Sequence, residues 1–217
     1  MDAALAAKLT EVLTAAPVFL FSLVFHEYCH ALAAYRLGDS TAAWTGRLTM
    51  DPRVHIDLLG TVILPVVGLL GGGFIFGWAK PVPFNPRNLK NPGRDAMIIA
   101  LAGPAANVAL LVVFSLLARG LLVVGAGDPS SLMNLLLAMS SFGIFINALL
   151  AVFNMIPLPP LDGSKVLAHF LSPSAGRKLL SFNAGMSFMI IIFLVYQGAL
   201  RTPMHLLMQL GRGLAGV

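Results

Sequence analysis

Charged residues are scarce in this chain. Asp, Glu, Lys and Arg make up 11% of its 217 residues, whereas soluble domains carry about 25%. Hydrophobic residues account for 58% of the chain, and no long polar stretch could form a separate soluble domain. This composition is typical of an integral membrane protein. We expect one membrane domain over residues 1–217, with a core at about 10–171 and a C-terminal helix at about 180–200.

Cysteine is almost absent as well. The single Cys29 excludes an internal disulfide, so the sequence does not indicate a redox compartment. The net charge of +5 would suggest nucleic acid as a partner for a soluble protein. Here the Lys and Arg residues lie in short loops between apolar runs, where they orient a chain in the lipid bilayer. We therefore expect the bilayer, and no nucleic acid, as a partner.

The apolar residues fall into five segments, at residues 12–35, 58–76, 97–124, 132–156 and 182–200. A spanning helix needs about 20 mostly apolar residues, so the predicted fold is an all-α polytopic membrane protein with about four to five transmembrane helices. Residues 203–215 are predicted to form a terminal surface helix. The alternation at residues 47–50 suggests a short β element, and four prolines make residues 77–95 an irregular loop.

The second apolar segment has two possible topologies. Pro65, Gly68 and three further glycines favour a re-entrant segment at residues 58–76 that returns to its starting side, and a glycine-rich full span is the alternative. In the re-entrant topology, loops 36–57, 77–95 and 157–178 share one face and hold ten of the fourteen Lys and Arg residues. The positive-inside rule then makes that face cytoplasmic.

The first apolar segment contains the sequence His-Glu-Tyr-Cys-His at residues 26–30. On a helix, positions i and i+4 share a face, so His26 and His30 can both bind one metal ion. Glu27 then stands beside that ion as a general base that activates water. Ionisable groups in lipid are costly, and their presence indicates a functional site. A polar cluster that only packs helices together is the alternative.

Two histidines leave a catalytic zinc one protein ligand short. Asp162 is the best candidate, since it follows a long apolar run that is broken by Pro157, Pro159 and Pro160. A break at membrane depth is tolerated where the freed backbone is buried in protein or lines a wet cavity. The alternative for Asp162 is the N-cap of the next helix. His55 with Asp57 forms a weaker second metal pair, for which loop orientation is the simpler explanation.

Three motifs together resemble the site-2 protease family of intramembrane zinc metalloproteases. They are the HExxH at residues 26–30, the sequence NMIPLPPLDG at residues 154–163, and GPAAN at residues 103–107, similar to the family's GxxxN element. The sequence FGWAKPVP at residues 76–83 resembles compact bacterial members without PDZ or CBS domains. The resemblance covers roughly residues 20–170.

The resemblance implies a role for each matching residue. His26, His30 and Asp162 would bind Zn²⁺, Glu27 would be the catalytic base, and Asn154 and Asn107 would bind substrate or the oxyanion, or shape the site. It implies cleavage of transmembrane substrates that another protease has already cut, in the bacterial cell membrane, with the active site towards the cytoplasm. The other possibilities are a metal-ion transporter and an inactive protease-like protein.

Overall fold

The computed structural model describes residues 3–70, 77–125 and 132–217, and these residues are mostly helical. A π-helical segment, Leu58–Ile63, leads into α4, and a 3-10 turn, Pro86–Asn88, precedes α5. The α-helices are α1 Ala3–Arg36, α2 Thr41–Trp44, α3 Pro52–His55, α4 Leu64–Leu70, α5 Pro92–Val124, α6 Leu132–Asn154, α7 Asp162–Phe170, α8 Pro173–Leu180, α9 Ala184–Tyr196 and α10 Arg201–Ala215.

Among the described residues, three helices are long and apolar enough to cross a membrane: Glu11–Arg36 within α1, and the whole of α5 and α6. α5 lies at the centre and packs against α1, α6, α7 and α10. Val18 and Leu23 of α1 pack with Ile146, Leu149 and Leu150 of α6 in one buried cluster. The all-α membrane fold is thus confirmed, but the described residues contain three spanning helices, or four if the bent α8–α9 pair is one span, against the four to five predicted. Over its described part, the second apolar segment does not add a span, and the last one is broken. The single-domain boundary stays a prediction.

The second apolar segment returns to the place where it starts. The Trp78 N–H donates to the carbonyl of Gly60 at 3.1 Å, and the hydroxyl of Thr61 donates to the Trp78 carbonyl at 2.7 Å. Gly77 lies so close to Gly60 and Pro65 that a Cβ would overlap both. The two ends of the segment therefore lie together, as the re-entrant topology predicts. Residues 71–76, at the predicted tip, lie outside the described residues.

The C-terminal part differs from the prediction in two ways. The C-terminal helix expected at about residues 180–200 is the shorter α9, which has 13 residues, because Asn183 caps its start and the chain turns at Gly198, where φ is 78°. α9 is bent by 86° from α8. The predicted surface helix is α10, which packs against α5 and α6 and buries Gly211 and Ala215. Its polar residues cover only the outward face.

The short β element at residues 47–50 is wrong. These residues form bends and coil, and the described part of the chain contains no strand. Nε2 of His55 lies 3.0 Å from the carbonyl oxygen of Thr49. The guanidinium of Arg47 donates a hydrogen bond to the carbonyl of Val54. Side-chain contacts with α3 thus replace the strand pairing that the alternation suggested.

The irregular loop predicted at residues 77–95 ends at residue 91, because α5 begins at Pro92, and it contains the 3-10 turn Pro86–Asn88. The buried Asp39 anchors the second half of this loop. Asp39 accepts hydrogen bonds from the Asn85 N–H at 2.6 Å and from the Asn88 amide at 2.7 Å. Burial acts to raise the pKa of Asp39, but bonds from Thr41, Asn88 and Asn85 outweigh burial and hold the pKa below its usual value. The charged carboxylate therefore ties this loop to the end of α1.

The proline-rich break lies between α6 and α7. α6 ends at Asn154, and α7 begins at Asp162, while the Pro159–Pro160 bond is cis. The chain folds back so tightly that a Cβ at Gly163 would overlap the backbone of Met155 and Ile156. Only glycine fits there, so the Leu-Asp-Gly sequence places Asp162 against α1 and α5.

Candidate metal centre

Three buried side chains meet where α1 and α7 come together. Nε2 of His30 lies 3.0 Å from Nε2 of His26 and 3.0 Å from Oδ2 of Asp162. Nε2 of His26 lies 3.4 Å from the same oxygen. Zinc bonds of about 2.0–2.1 Å in tetrahedral geometry separate ligand atoms by about 3.3 Å. The triangle therefore fits one metal ion, and among the described residues it is the one such cluster of His, Cys, Asp or Glu.

The other ring nitrogen of each histidine faces an oxygen. Nδ1 of His26 lies 2.5 Å from Oδ1 of Asn107, and Nδ1 of His30 lies 2.6 Å from the carbonyl of Ile99. An acceptor at Nδ1 fixes the proton there and leaves the Nε2 lone pair for a metal. Both acceptors belong to α5, so the central helix sets the tautomer and orientation of both rings.

Asn107 belongs to a buried polar network that joins the three spanning helices. Its amide nitrogen donates to Oδ1 of Asn147 on α6 at 2.8 Å. Asn147 in turn donates to the hydroxyl of Ser22 on α1 at 2.8 Å. All three residues are fully buried. Such bonds stabilise helix association in membranes by about 0.6 kcal/mol each. Here they also fix the position of α5 along its axis relative to His26.

Gly103 gives the two imidazoles their space. A Cβ at this position would overlap Nε2 of His30 and the ring of His26. Gly103 lies four residues before Asn107, so both face α1 from the same side of α5. The GPAAN sequence therefore combines a close approach at Gly103 with a hydrogen-bond acceptor at Asn107.

Asp162 uses its two oxygens differently. Oδ2 faces the histidines, and Oδ1 accepts a bond of 2.9 Å from Nζ of Lys165, one turn further along α7. The N-cap of α7 is Leu161, and α7 has no side-chain cap. The N-cap alternative for Asp162 is thus not what the structure shows. Lys165 leaves Oδ2 as the oxygen directed at the metal position.

Glu27 and Asn154 line a cavity of about 100 Å³ beside the three ligand atoms. Oε2 of Glu27 accepts a hydrogen bond of 3.1 Å from the main-chain N–H of Val82. Asn154 donates from its amide nitrogen to the carbonyl of Leu150 at 3.0 Å. The remaining walls come from residues 81–84 of the irregular loop, from α5, from Pro160 of the proline-rich break and from Lys165. The cavity therefore brings a carboxylate, an amide and an ammonium group to one metal position.

The structure places the remaining predicted residues as follows. Asn107 is fully buried behind His26, so it shapes the site from outside the cavity. His55 contacts Thr49, and Asp57 accepts from the N–H of Gly60, so these two orient loops. The roles assigned to the site residues stay predictions.

Sequence reasoning missed Asn147, Ser22, Lys165 and the main chain of Ile99 and Val82. For Asn147 a signal existed, because an asparagine in an apolar run is itself unusual. A main-chain contact leaves no such trace in a sequence.

Comparison with known proteins places the chain in a family. The model described as Peptidase family M50 matches residues 119–196, which include Asn154 and Asp162. Its relatives include the following three proteins, each named "Putative zinc metalloprotease". YwhC of Bacillus subtilis is 34% identical over 176 residues, which cover 81% of this chain and 76% of that protein. Rip2 of Mycobacterium tuberculosis is 30% identical, covering 81% and 64%.

The third relative is MJ0611 of Methanocaldococcus jannaschii, which is 32% identical over 79% of this chain and 82% of that protein. No solved structure matches the chain. Two relatives above 30% identity are thus covered over three quarters or more of their length. On this evidence the chain belongs to peptidase family M50, the site-2 protease family.

Proposed function

We propose that this protein is a zinc endopeptidase that cuts peptide bonds inside transmembrane segments of other membrane proteins. The observation that carries the proposal is the position of the metal ligands. His26 and His30 lie within the apolar span Glu11–Arg36, about 15 Å and 9 Å from its Arg36 end at 1.5 Å per helical residue. A site at that depth supports the proposal that substrates reach the metal centre from within the bilayer.

The donor set suits zinc. Two imidazole nitrogens and one carboxylate oxygen, with a further position facing the cavity, are typical of catalytic zinc sites. When bound there, the ion would lower the pKa of water towards 7 and polarise a carbonyl group. The names of the M50 relatives agree with this metal.

The chain's own residues supply the rest of the chemistry. Glu27 would accept the proton of the attacking water and pass it to the leaving amine. Asn154 and Lys165, on the cavity wall, are the groups that would hold the substrate backbone or the developing oxyanion. Asn107 would act through His26. A helical peptide bond hides its carbonyl, so the substrate must unwind before it enters this cavity.

The substrates we propose are single-span membrane proteins that another protease has shortened, since a bulky outer domain would hinder entry into a small membrane site. The Lys- and Arg-rich loops lie on the side to which the HExxH end of α1 points. The proposed location is therefore the bacterial cell membrane, with the active site towards the cytoplasm.

The test is to locate the cut. Wild type and Glu27→Gln, purified in detergent, are incubated with a panel of single-span peptides, and the product masses are measured. The proposal predicts wild-type products cut within the apolar segment, and none from Glu27→Gln. Cuts restricted to the flanking polar residues would contradict intramembrane cleavage. Zinc transport into vesicles by Glu27→Gln, without cleavage by wild type, would favour a transporter.

A further inference from the structure

We propose that the main-chain N–H of Val82 is a positioning group for the catalytic base, and that the re-entrant segment holds Glu27 through it. The proposal rests on the proposed function, because it assigns Glu27 the role of base. The contact is the 3.1 Å hydrogen bond from the Val82 nitrogen to Oε2 of Glu27. It joins residues 55 positions apart, one on α1 and one on the irregular loop that precedes α5.

The loop is fixed on the side of the re-entrant segment. The Lys80 N–H donates to the carbonyl of His55 at 2.9 Å, and the Trp78 N–H donates to the carbonyl of Gly60 at 3.1 Å. Ala79, between them, is buried in the cluster formed by α1 and α6. The position of Val82 therefore follows from the packing of residues 55–60.

The loop is fixed on its other side by Asp39. The Asn85 N–H and the Asn88 side chain both donate to this buried carboxylate, at 2.6 Å and 2.7 Å. Asp39 directly follows the turn that ends α1, the helix that carries Glu27. Residues 81–84 thus cross the site between two anchors.

The sequence of the loop leaves one donor for this role. Pro81 and Pro83 have no N–H, so Val82 supplies the one main-chain donor between Lys80 and Phe84. Proline also fixes φ near −65°, which lowers the conformational freedom of residues 81–83 before any substrate binds. The alternation of Pro, Val and Pro therefore presents a single, preset N–H to Glu27.

The bond has a chemical consequence. A glutamate side chain rotates about three bonds, and an unheld carboxylate would sample several orientations. With Oε2 bound to Val82, the other oxygen is available to the cavity and to a water beside the metal position. A charged acceptor makes this bond roughly twice as strong as a neutral one. The simpler explanation, that Val82 only fills the cavity wall with its side chain, assigns no role to the N–H.

The first arm measures the contact without catalysis. Hydrogen exchange is followed by mass spectrometry on peptides covering residues 78–84, in which Pro81 and Pro83 contribute no signal. The proposal predicts that the Val82 amide exchanges about tenfold faster in Glu27→Ala than in wild type. Glu27→Gln keeps an acceptor oxygen and should retain most of the protection. Exchange at Val82 that is unchanged in Glu27→Ala would overturn the proposal.

The second arm measures the consequence for cleavage. Val82→Pro removes the N–H at a position that already has proline on both sides. An α-hydroxy acid at position 82 replaces the N–H by an ester oxygen and keeps the valine side chain. Both are expected to lower kcat roughly 10- to 100-fold, with KM and bound zinc retained. Val82→Ala keeps the N–H and changes only the side chain, so its kcat should fall far less.

The outcomes separate the two claims. Wild-type kcat in the α-hydroxy acid variant, or an equal loss in Val82→Ala, would overturn the role of the N–H. A wild-type protein that shows the Glu27-dependent protection and yet cuts no membrane peptide would count against the proposed function, with the contact itself intact.

Discussion

Oδ1 of Asn107 lies 2.5 Å from Nδ1 of His26, and the two residues belong to different spanning helices. The contact joins the central helix to a proposed metal ligand. It also explains why an asparagine stands in the middle of a long apolar helix, since the residue behind His26 must accept a hydrogen bond. A fully buried polar side chain thus contacts a residue of the candidate metal centre.

Asn107→Ala is predicted to weaken zinc binding roughly 10- to 100-fold, because the His26 ring loses the acceptor that fixes its tautomer. Asn147→Ala is the matched control, since both variants break the Asn107–Asn147 bond and only the first removes the acceptor of His26. Zinc affinity is measured by competition with a chelator. Equal losses in the two variants would mean that the network acts through helix packing alone.

Gly103→Ala is predicted to abolish stoichiometric zinc binding in a protein that still folds. The added methyl group would overlap both imidazoles, whose positions are fixed from behind by Asn107 and Ile99. Gly143→Ala is the control, because its methyl group would overlap the ring of Phe114 and neither imidazole. Bound metal is counted by atomic absorption after size-exclusion chromatography. A Gly103→Ala protein with full zinc occupancy would contradict the close contact between Gly103 and the two imidazoles.

The re-entrant segment predicts that the residues flanking it are reached from the same side of the membrane. In a Cys29→Ala background, Arg53→Cys and Lys80→Cys should both react with a membrane-impermeant maleimide from the cytoplasmic side. Val124→Cys, at the far end of α5, should react from the opposite side. Labelling of Arg53→Cys and Lys80→Cys from opposite sides would instead establish a full span.

Much of this arrangement could be predicted from the sequence. His26, His30 and Asp162 could be predicted as site residues because ionisable groups are rare in apolar runs and mark functional sites. The helical repeat then places positions i and i+4 on one face. The break before Asp162 was readable because proline cannot continue a helix. The three long spans followed from their length and hydropathy.

Other parts could not be predicted, since they depend on long-range contacts. The alternation at residues 47–50 indicated a strand, but no neighbouring strand is there to pair with it in the described chain. The packing of α10 against α5 and α6 depends on small residues such as Gly211, which composition alone does not distinguish from surface glycines. The bond between Val82 and Glu27 uses the main chain, whose partners are set only by the folded path.

The central claim is that His26, His30 and Asp162 hold a zinc ion which Glu27 uses for hydrolysis without binding it. The most direct measurement is zinc per chain, together with cleavage of a membrane peptide, in wild type, Glu27→Gln and Asp162→Asn. The account predicts about one zinc per chain and cleavage in wild type, zinc without cleavage in Glu27→Gln, and loss of both in Asp162→Asn. Full zinc occupancy in Asp162→Asn, or cleavage by Glu27→Gln, would contradict it.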